Sequence, residues 1–266
     1  MHRRNGWGWL FGCVLGVAMG CGDSGEPDTD NPGTGPGVSA CGANGVLLCD
    51  DFEQASVGGA PDSATWQVQV FNQLGSISID GTQAHSGSKS VHVVGTGQDS
   101  YRSVLFTTTK PFPPQNNSFY ARVFMRSKSA MGEGHSTYFG AGAADDKRMV
   151  RIGFHQHVFE TNLIQPDKEY ELLSGPWGQP DQGVQLRAAE WHCVETFFNG
   201  ADHELRVWFD GNEMTGLHAT NWNANLSKWS PQYAKAWFGF ETYHGEQDEL
   251  WYDDIIIGTQ RIGCGG

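Results

Sequence analysis

The feature of the sequence that most constrains its fold is the alternation of apolar and polar residues with a period of two. In the stretch KRMVRIGFHQH, Val150, Ile152 and Phe154 fall on one side of an extended chain, and Arg151 and His155 fall on the other. A half-buried β-strand has this period, whereas an amphipathic helix repeats every 3.6 residues. The stretch therefore predicts a strand with one apolar face and one face that carries a cation and an imidazole.

Two further stretches, SFYARVFMRS and KAWFGFETYH, divide in the same way. Opposite their apolar rows lie Arg122 and Arg126 in the first stretch, and Trp237, Glu241 and Tyr243 in the second. If these strands share a sheet, its outer face is lined with Arg, His, Tyr, Trp and Glu. Such a face suits a sugar polymer better than nucleic acid or a membrane.

The rest of the chain repeats this strand pattern. It contains well over a dozen strand-like runs, 36 glycines for tight turns and 12% aromatic residues, with no clear helix longer than two turns. No internal repeat divides the 266 residues. We therefore predict one all-β domain over residues 41–266, a monomer built as an antiparallel β-sandwich or jelly roll of the concanavalin A-like type. The Pro- and Gly-rich segment 165–187 predicts a long irregular loop.

The N-terminal segment indicates export. Residues 1–20 have a charged start and a short apolar run, which together predict a signal peptide. The run ends in VAMGC, which resembles a bacterial lipobox with Cys21 as the lipidated residue. Residues 21–40 then predict a flexible tether. We expect an outer-membrane or cell-surface lipoprotein of a bacterium, attached to the membrane only through this lipid; the alternative is a secreted protein.

Four cysteines remain in the predicted domain, and an even number in an exported chain predicts two disulfides. The short spacing favours a Cys41–Cys49 bond and hence a Cys193–Cys264 bond. The alternative pairs Cys49 with Cys264. A zinc site is disfavoured because the spacing contains no C-x-x-C pair.

The net charge of −13 argues against a nucleic-acid partner, because phosphate binding relies on clustered Lys and Arg. Against this acidic background, the three arginines form the local cationic site that an acidic polysaccharide requires. The predicted partner is therefore a polysaccharide, either acidic or derived from plants.

Three separated segments together predict a structural calcium site. Its ligands are carboxylates near the first and last strands and the turn between them, namely Asp51, Glu53, Ser88, Asp253 and Asp254. Calcium prefers such a mixture of carboxylate and backbone oxygens. The arrangement resembles the calcium site of concanavalin A-like sandwiches. The alternative is that these carboxylates only end strands in solvent.

The candidate chemistry is β-elimination on a uronate polymer. This reaction requires a cation beside the substrate carboxylate, a role we assign to Arg122, Arg126 or Arg151. His155 is the predicted base, because imidazole titrates near neutral pH, and Tyr243 or Tyr138 is predicted to supply the acid or to share the base role. We expect four further residues to bind the polymer, in part by stacking of sugar on rings: Tyr138, Trp208, Trp237 and Glu241.

Short segments also carry a family resemblance. W-H-C-V-E, the F-D-G turn and the closing D-D-I-I-I-G with a final I-G-C resemble the core of the fungal cellulose-induced protein family, a jelly roll similar to glucuronan lyases. The resemblance spans Leu47 to Cys264. The alginate lyases of this fold carry R-x-E-x-R, which Arg122 and Arg126 match while Phe124 replaces the Glu. Their Q-I-H is absent, and His155-Gln156-His157 stands in its place in altered order.

These observations predict a surface-anchored protein that binds polysaccharide and cleaves uronate-containing polymers as a lyase. Two alternatives remain open at this stage, a non-catalytic carbohydrate-binding module and a structural envelope lipoprotein. A glycoside hydrolase is disfavoured, because HGEQDEL lacks the E-x-D-x-x-E spacing of the laminarinase type.

Overall fold

The structure, a computed structural model, describes residues 40–96, 101–130, 132–145, 147–165, 168–174, 185–220, 231–243 and 249–265. These residues belong to one compact unit. The predictions for the signal peptide, the tether and Cys21 lie outside the described residues.

The described chain is built from strands. They are β1 (Val46–Asp50), β2 (Gln67–Val70), β3 (Gly75–Asp80), β4 (Ser90–Gly95), β5 (Arg102–Thr108), β6 (Ser118–Ser127), β7 (His135–Gly142), β8 (Met149–His155), β9 (Val158–Gln165), β10 (Lys168–Ser174), β11 (Trp191–Asn199), β12 (Glu204–Phe209), β13 (Asn212–Glu213), β14 (Lys235–Thr242) and β15 (Glu249–Gly258).

The helices of the described residues are short 3-10 turns. They span Ala40–Gly42, Phe71–Gln73, Gln115–Asn117 and Thr215–Leu217. A membrane-spanning helix, which needs a long apolar run, is not found among the described residues.

The strands form two antiparallel sheets. The first sheet has the order β13-β12-β11-β6-β15-β4-β3, and β1 pairs with the C-terminal half of β15. The second sheet has the order β10-β9-β8-β7-β14-β5-β2. In β15 a bulge between Asp253 and Ile256 separates the part that pairs with β4 from the part that pairs with β1. The prediction of an all-β antiparallel jelly-roll sandwich is confirmed.

The predicted apolar rows pack in the core. Val150, Ile152 and Phe154 of β8 are buried there, as are Phe238 and Phe240 of β14. Full burial of a side chain of this size contributes about 1.5–3 kcal/mol. The prediction of which side of β8 and of β14 packs in the core is therefore confirmed, and the opposite side of each strand faces outwards from its sheet.

Two disulfides cross-link the chain, and their pairing is the one that the cysteine spacing predicts. Cys41 is bonded to Cys49, with 5.4 Å between their Cα atoms, and Cys193 is bonded to Cys264, with 5.8 Å between theirs. The second bond ties the C-terminal residues to β11.

The predicted loop at residues 165–187 is wrong in part. Lys168–Ser174 forms the edge strand β10, which pairs with β9 over residues 160–165. The sequence KEYELLS alternates only weakly, so the neighbouring strand contributes more to this element than its own pattern does.

Candidate functional site

The outer face of the second sheet brings together polar side chains from neighbouring strands. Register explains the grouping: His135 of β7 lies opposite His155 of β8, and Gly153 and Arg151 of β8 lie opposite Glu160 and Asn162 of β9. The end of β14 adds the last members, because the Tyr243 amide donates to the His135 carbonyl. We name the following set the polar cluster: His135, Arg151, His155, Glu160, Asn162, Glu241 and Tyr243.

A buried carboxylate lies beside both imidazoles of the cluster. Glu160 is 2% exposed. Its Oε1 lies 2.7 Å from His135 Nε2, and its Oε2 lies 3.9 Å from His155 Nδ1. The two imidazole rings stack with 5.2 Å between their centroids. The same His135 Nε2 lies 3.1 Å from Asn162 Nδ2, so this nitrogen contacts both the Glu160 carboxylate and an amide donor.

Arg151 supplies the positive charge of the cluster and is itself buried. Its Nε donates to Asn162 Oδ1 at 2.8 Å, and one terminal nitrogen donates to the Tyr243 hydroxyl. The same nitrogen lies 3.7 Å from Glu241 Oε2. Since a buried guanidinium needs partners for its donors, these contacts hold it in one orientation beside the tyrosine oxygen.

Tyr101 links the cluster to the next strand. Its hydroxyl donates to Glu241 Oε1 at 3.0 Å, and its ring lies 5.3 Å from the ring of Tyr243. Burial, followed by the negative charge of Glu241, raises the pKa of Tyr101 well above its usual range. Tyr101 therefore stays protonated and serves as a donor to Glu241 rather than as a base.

A groove of about 1000 Å³ adjoins the cluster along the same face. Tyr101 and Glu241 line both the groove and the edge of the cluster, and Trp237, Leu105 and Phe71 also line the groove. The volume lies at the upper end of the range for ligand pockets. The arrangement is an open groove with titratable groups at one end.

A family model described as Polysacc_lyase-like, Cip1-like core domain matches residues 51–260. The chain belongs to this family. Among solved structures, the cellulose induced protein Cip1 matches with a TM-score of 0.66 and 26% sequence identity, over 82% of this chain and 100% of that chain. The protein is therefore a Cip1-like jelly roll, and the family indicates a carbohydrate-related function.

More distant matches show the fold alone. The binding domain of botulinum neurotoxin DC in complex with SialylT matches with a TM-score of 0.53 and 11% identity, over 82% of this chain and 49% of that one. A sialidase matches with a TM-score of 0.52 and 8% identity, over 80% of this chain and 18% of that one. No curated protein sequence matches the chain.

Two of the three predicted arginines do not belong to this site. Arg122 and Arg126 lie on β6, in the first sheet, on the other side of the sandwich from β8. Arg122 is buried and donates to the carbonyls of Asp254 and Gly263, and Arg126 lies over the Trp251 ring at 5.3 Å. The prediction that they act beside His155 is therefore wrong. The match to R-x-E-x-R falls on the sheet opposite the groove.

Two of the four predicted polymer-binding residues are also misplaced. Tyr138 is 1% exposed and packs in the core against Phe154. Trp208 belongs to the first sheet, and the guanidinium groups of Arg206 and Arg261 lie over its ring, 5.0 and 4.7 Å from the ring centroid. Neither ring faces the groove, and both assignments are corrected. Trp237 and Glu241 do line it, and their roles remain predictions.

The predicted calcium ligands separate into two hydrogen-bonded groups. Glu53 accepts hydrogen bonds from the backbone and hydroxyl of Ser88, each at 2.8 Å. The carboxylates of Asp253 and Asp254 instead accept from His85 and Ser86.

No group of three or more His, Cys, Asp and Glu side chains that would hold a metal occurs in the described part of the chain. Asp51, the remaining predicted ligand, is exposed and accepts from the Glu53 amide. The donor set therefore does not fit a single calcium site.

Three members of the cluster were not among the predicted residues. Glu160 and Asn162 alternate with buried residues in VFETNLI, which is the signal that places them on the outer face. His135 is the first residue of β7 and directly follows the Gly-containing segment SAMGEG, so too little of the strand precedes it for the alternation to place it on a face.

Proposed function

We propose that the protein binds a uronate-containing polysaccharide along the groove and cleaves it by β-elimination at the polar cluster. The observation that carries this proposal is the contact of one buried guanidinium, two imidazoles and a phenol beside an open groove. Membership of a polysaccharide-lyase-like family supports the carbohydrate substrate. Of the three predicted arginines, Arg151 belongs to the polar cluster, together with the predicted residues His155 and Tyr243.

In the proposed reaction the base removes the proton on the carbon next to the uronate carboxylate. The electron pair of that C–H bond forms a carbon–carbon double bond, and the bond to the glycosidic oxygen breaks. The leaving oxygen takes a proton from the acid, so no oxidant or water is consumed. Arg151 and Asn162 stabilise the negative charge that develops on the uronate carboxylate.

The imidazole pair supplies the base. His155, which the sequence predicted, is a quarter exposed at its side chain, and His135 is held at Nε2 by Glu160. In the neutral form of His135 that carries its proton on Nε2, towards Glu160, the lone pair is on Nδ1, which is the form a base requires. Tyr243, whose hydroxyl accepts from Arg151, is the acid for the leaving oxygen.

The test is to incubate the purified domain with a panel of uronate polymers and to record ultraviolet absorbance of the unsaturated product. An increase that is lost in His155→Ala or His135→Ala supports the proposal and identifies the base. Binding of a polymer without any increase in absorbance would instead support a non-catalytic binding module.

We further propose that the mature chain is attached to a membrane through a lipid on Cys21. The two disulfides support an oxidising, extracytoplasmic location. Fractionation tests the anchor: the wild type should remain with membranes, and Cys21→Ala should appear in the soluble fraction. Equal release of both would refute lipidation at this residue.

A further inference from the structure

An aromatic ladder crosses the second sheet from the polar cluster to the rim of the groove. Neighbouring ring centroids lie 5.1–5.4 Å apart at every step. In order, the ladder consists of Phe71, Tyr101, Tyr243, His135 and His155. The last three belong to the polar cluster, so the first two extend the site beyond the proposed chemistry.

Phe71 is the exposed end of this ladder. It is 42% exposed although it is a large apolar residue, and it lines the groove. Tyr101 holds it by an edge-to-face contact with 69° between the rings. The next two residues, Asn72 and Gln73, both have left-handed backbones with φ of 51° and 58°, an arrangement that fixes the turn carrying Phe71.

We propose that Phe71, supported by Tyr101, is a stacking site for a pyranose ring of the polymer. The apolar face of a sugar ring would cover the exposed phenyl surface and remove it from water. The site lies two ring contacts from Tyr243, so it binds a sugar at a distance from the bond that is cleaved. The identity of the polymer in this inference rests on the proposed function.

The test compares Phe71→Ala with Phe71→Trp and with Val57→Ala, an exposed apolar residue that does not line the groove. Binding of long uronate polymers, neutral plant glucans and short oligomers is measured by isothermal titration calorimetry. Phe71→Ala should weaken binding of the long polymer about tenfold, which corresponds to about 1.4 kcal/mol. Phe71→Trp and Val57→Ala should bind like the wild type.

Calorimetry separates this inference from the lyase proposal. A wild type that binds a polymer without producing ultraviolet absorbance refutes the lyase activity, and the Phe71 variants still report on stacking. Unchanged binding of the long polymer by Phe71→Ala refutes the stacking site even if cleavage is observed. A wild type that binds no polymer refutes both.

A different observation carries a second inference, at the corner where calcium was predicted. The ammonium group of Lys89 donates to the carbonyl oxygens of Glu53 and Ala55, at 2.7 and 2.9 Å. The Lys89 amide donates to the Glu53 carboxylate at 2.7 Å, beside the two bonds from Ser88. Two carbonyls and a carboxylate are ligands that calcium takes in other proteins. Here an internal cation binds both carbonyls.

We infer that Lys89 replaces a bound cation at this corner and that the domain folds without calcium. An ammonium is a compact point charge with three donors, so it satisfies two carbonyls at once. Its stem is covalently attached, so no metal has to be captured from solution. Glu53 in turn fixes the turn that carries Ser88 and Lys89.

Thermal unfolding tests this inference. The wild type should have the same Tm in calcium and in a chelator, while Lys89→Ala should unfold at least about 4 °C lower. Lys147→Ala, an exposed lysine, is the control and should match the wild type. A wild-type Tm that rises by several degrees in calcium would overturn the inference, and this measurement stands even if Lys89→Ala fails to fold.

Discussion

Replacement of Tyr243 by Phe removes one hydroxyl and leaves the aromatic ring in place. The ring contacts with Tyr101 and His135 are therefore retained. Arg151 loses one acceptor but keeps Asn162 and Glu241 as partners. A hydrogen bond to a charged group contributes about 1.5–3 kcal/mol, and water reaches the half-buried Tyr243, so the actual cost is at the lower end. Since domains are stable by about 5–15 kcal/mol, the variant stays folded.

Activity should respond much more strongly than stability. If Tyr243 protonates the leaving oxygen, its loss should lower kcat about 10²–10⁴-fold, which corresponds to about 2.7–5.4 kcal/mol of barrier. The assay is the rate of increase in ultraviolet absorbance at saturating polymer, with urea unfolding measured in parallel. The matched control is Tyr120→Phe, which removes a hydroxyl from the outer face of the first sheet.

The two variants separate catalysis from general damage. Tyr120→Phe should retain the wild-type rate. A wild-type rate in Tyr243→Phe would remove the acid role, and an equal loss in both variants would show that the assay reports on folding rather than on chemistry.

Three further predictions concern stability and are measured by urea unfolding. Glu160→Ala removes the acceptor of buried donors and should cost about 1–3 kcal/mol, whereas Glu190→Ala, at an exposed ion pair, should cost less than about 0.5 kcal/mol; equal costs would contradict the buried role of Glu160. Burial raises the pKa of Asp253 to about 7 from 3.8, so the folded state binds this proton more tightly than the unfolded state and stability should fall as pH rises from about 4 to 7. Asp253→Asn should flatten that slope, and an unchanged slope would refute the assignment. Loss of the Cys193–Cys264 bond, which spans 71 residues, should cost about 4 kcal/mol if loop entropy dominates, and a cost near zero would contradict that account.

The sequence predicted the face of each strand well because side-chain alternation is a local property. Val150, Ile152 and Phe154 face the core whatever strand lies beside them. Sheet membership is a different matter, because it depends on pairing between distant segments. The polar rows of β6 and β8 look alike in sequence, yet β6 pairs with β11 and β15 whereas β8 pairs with β7 and β9. The sequence pattern therefore predicts one site for arginines that the fold places on two different sheets.

Three members of the cluster, Glu160, Asn162 and His135, were not predicted for the same physical reason, because their grouping depends on pairing between strands. Glu160 joins the cluster through strand pairing, because β9 places it opposite Gly153 of β8, two residues from His155. A Cβ at Gly153 would lie 2.1 Å from the Ser136 carbonyl oxygen, so this close approach of β7 and β8 requires glycine. Registers of this kind follow from the bulge between Thr137 and Phe139 in β7, which no local pattern reveals.

The C-terminal residues explain why the groove lies on the second sheet. Glu195, on the outer face of β11, is fully buried and accepts hydrogen bonds from the amides of Ile262 and Gly263. Arg261 covers the Trp208 ring, and the Cys193–Cys264 bond holds the segment in place. The middle of the first sheet is therefore covered by the chain itself, because its polar groups are satisfied by this segment. The corresponding surface of the second sheet carries the groove and the polar cluster, so the closing segment covers one face of the sandwich and the proposed ligand-binding site lies on the other.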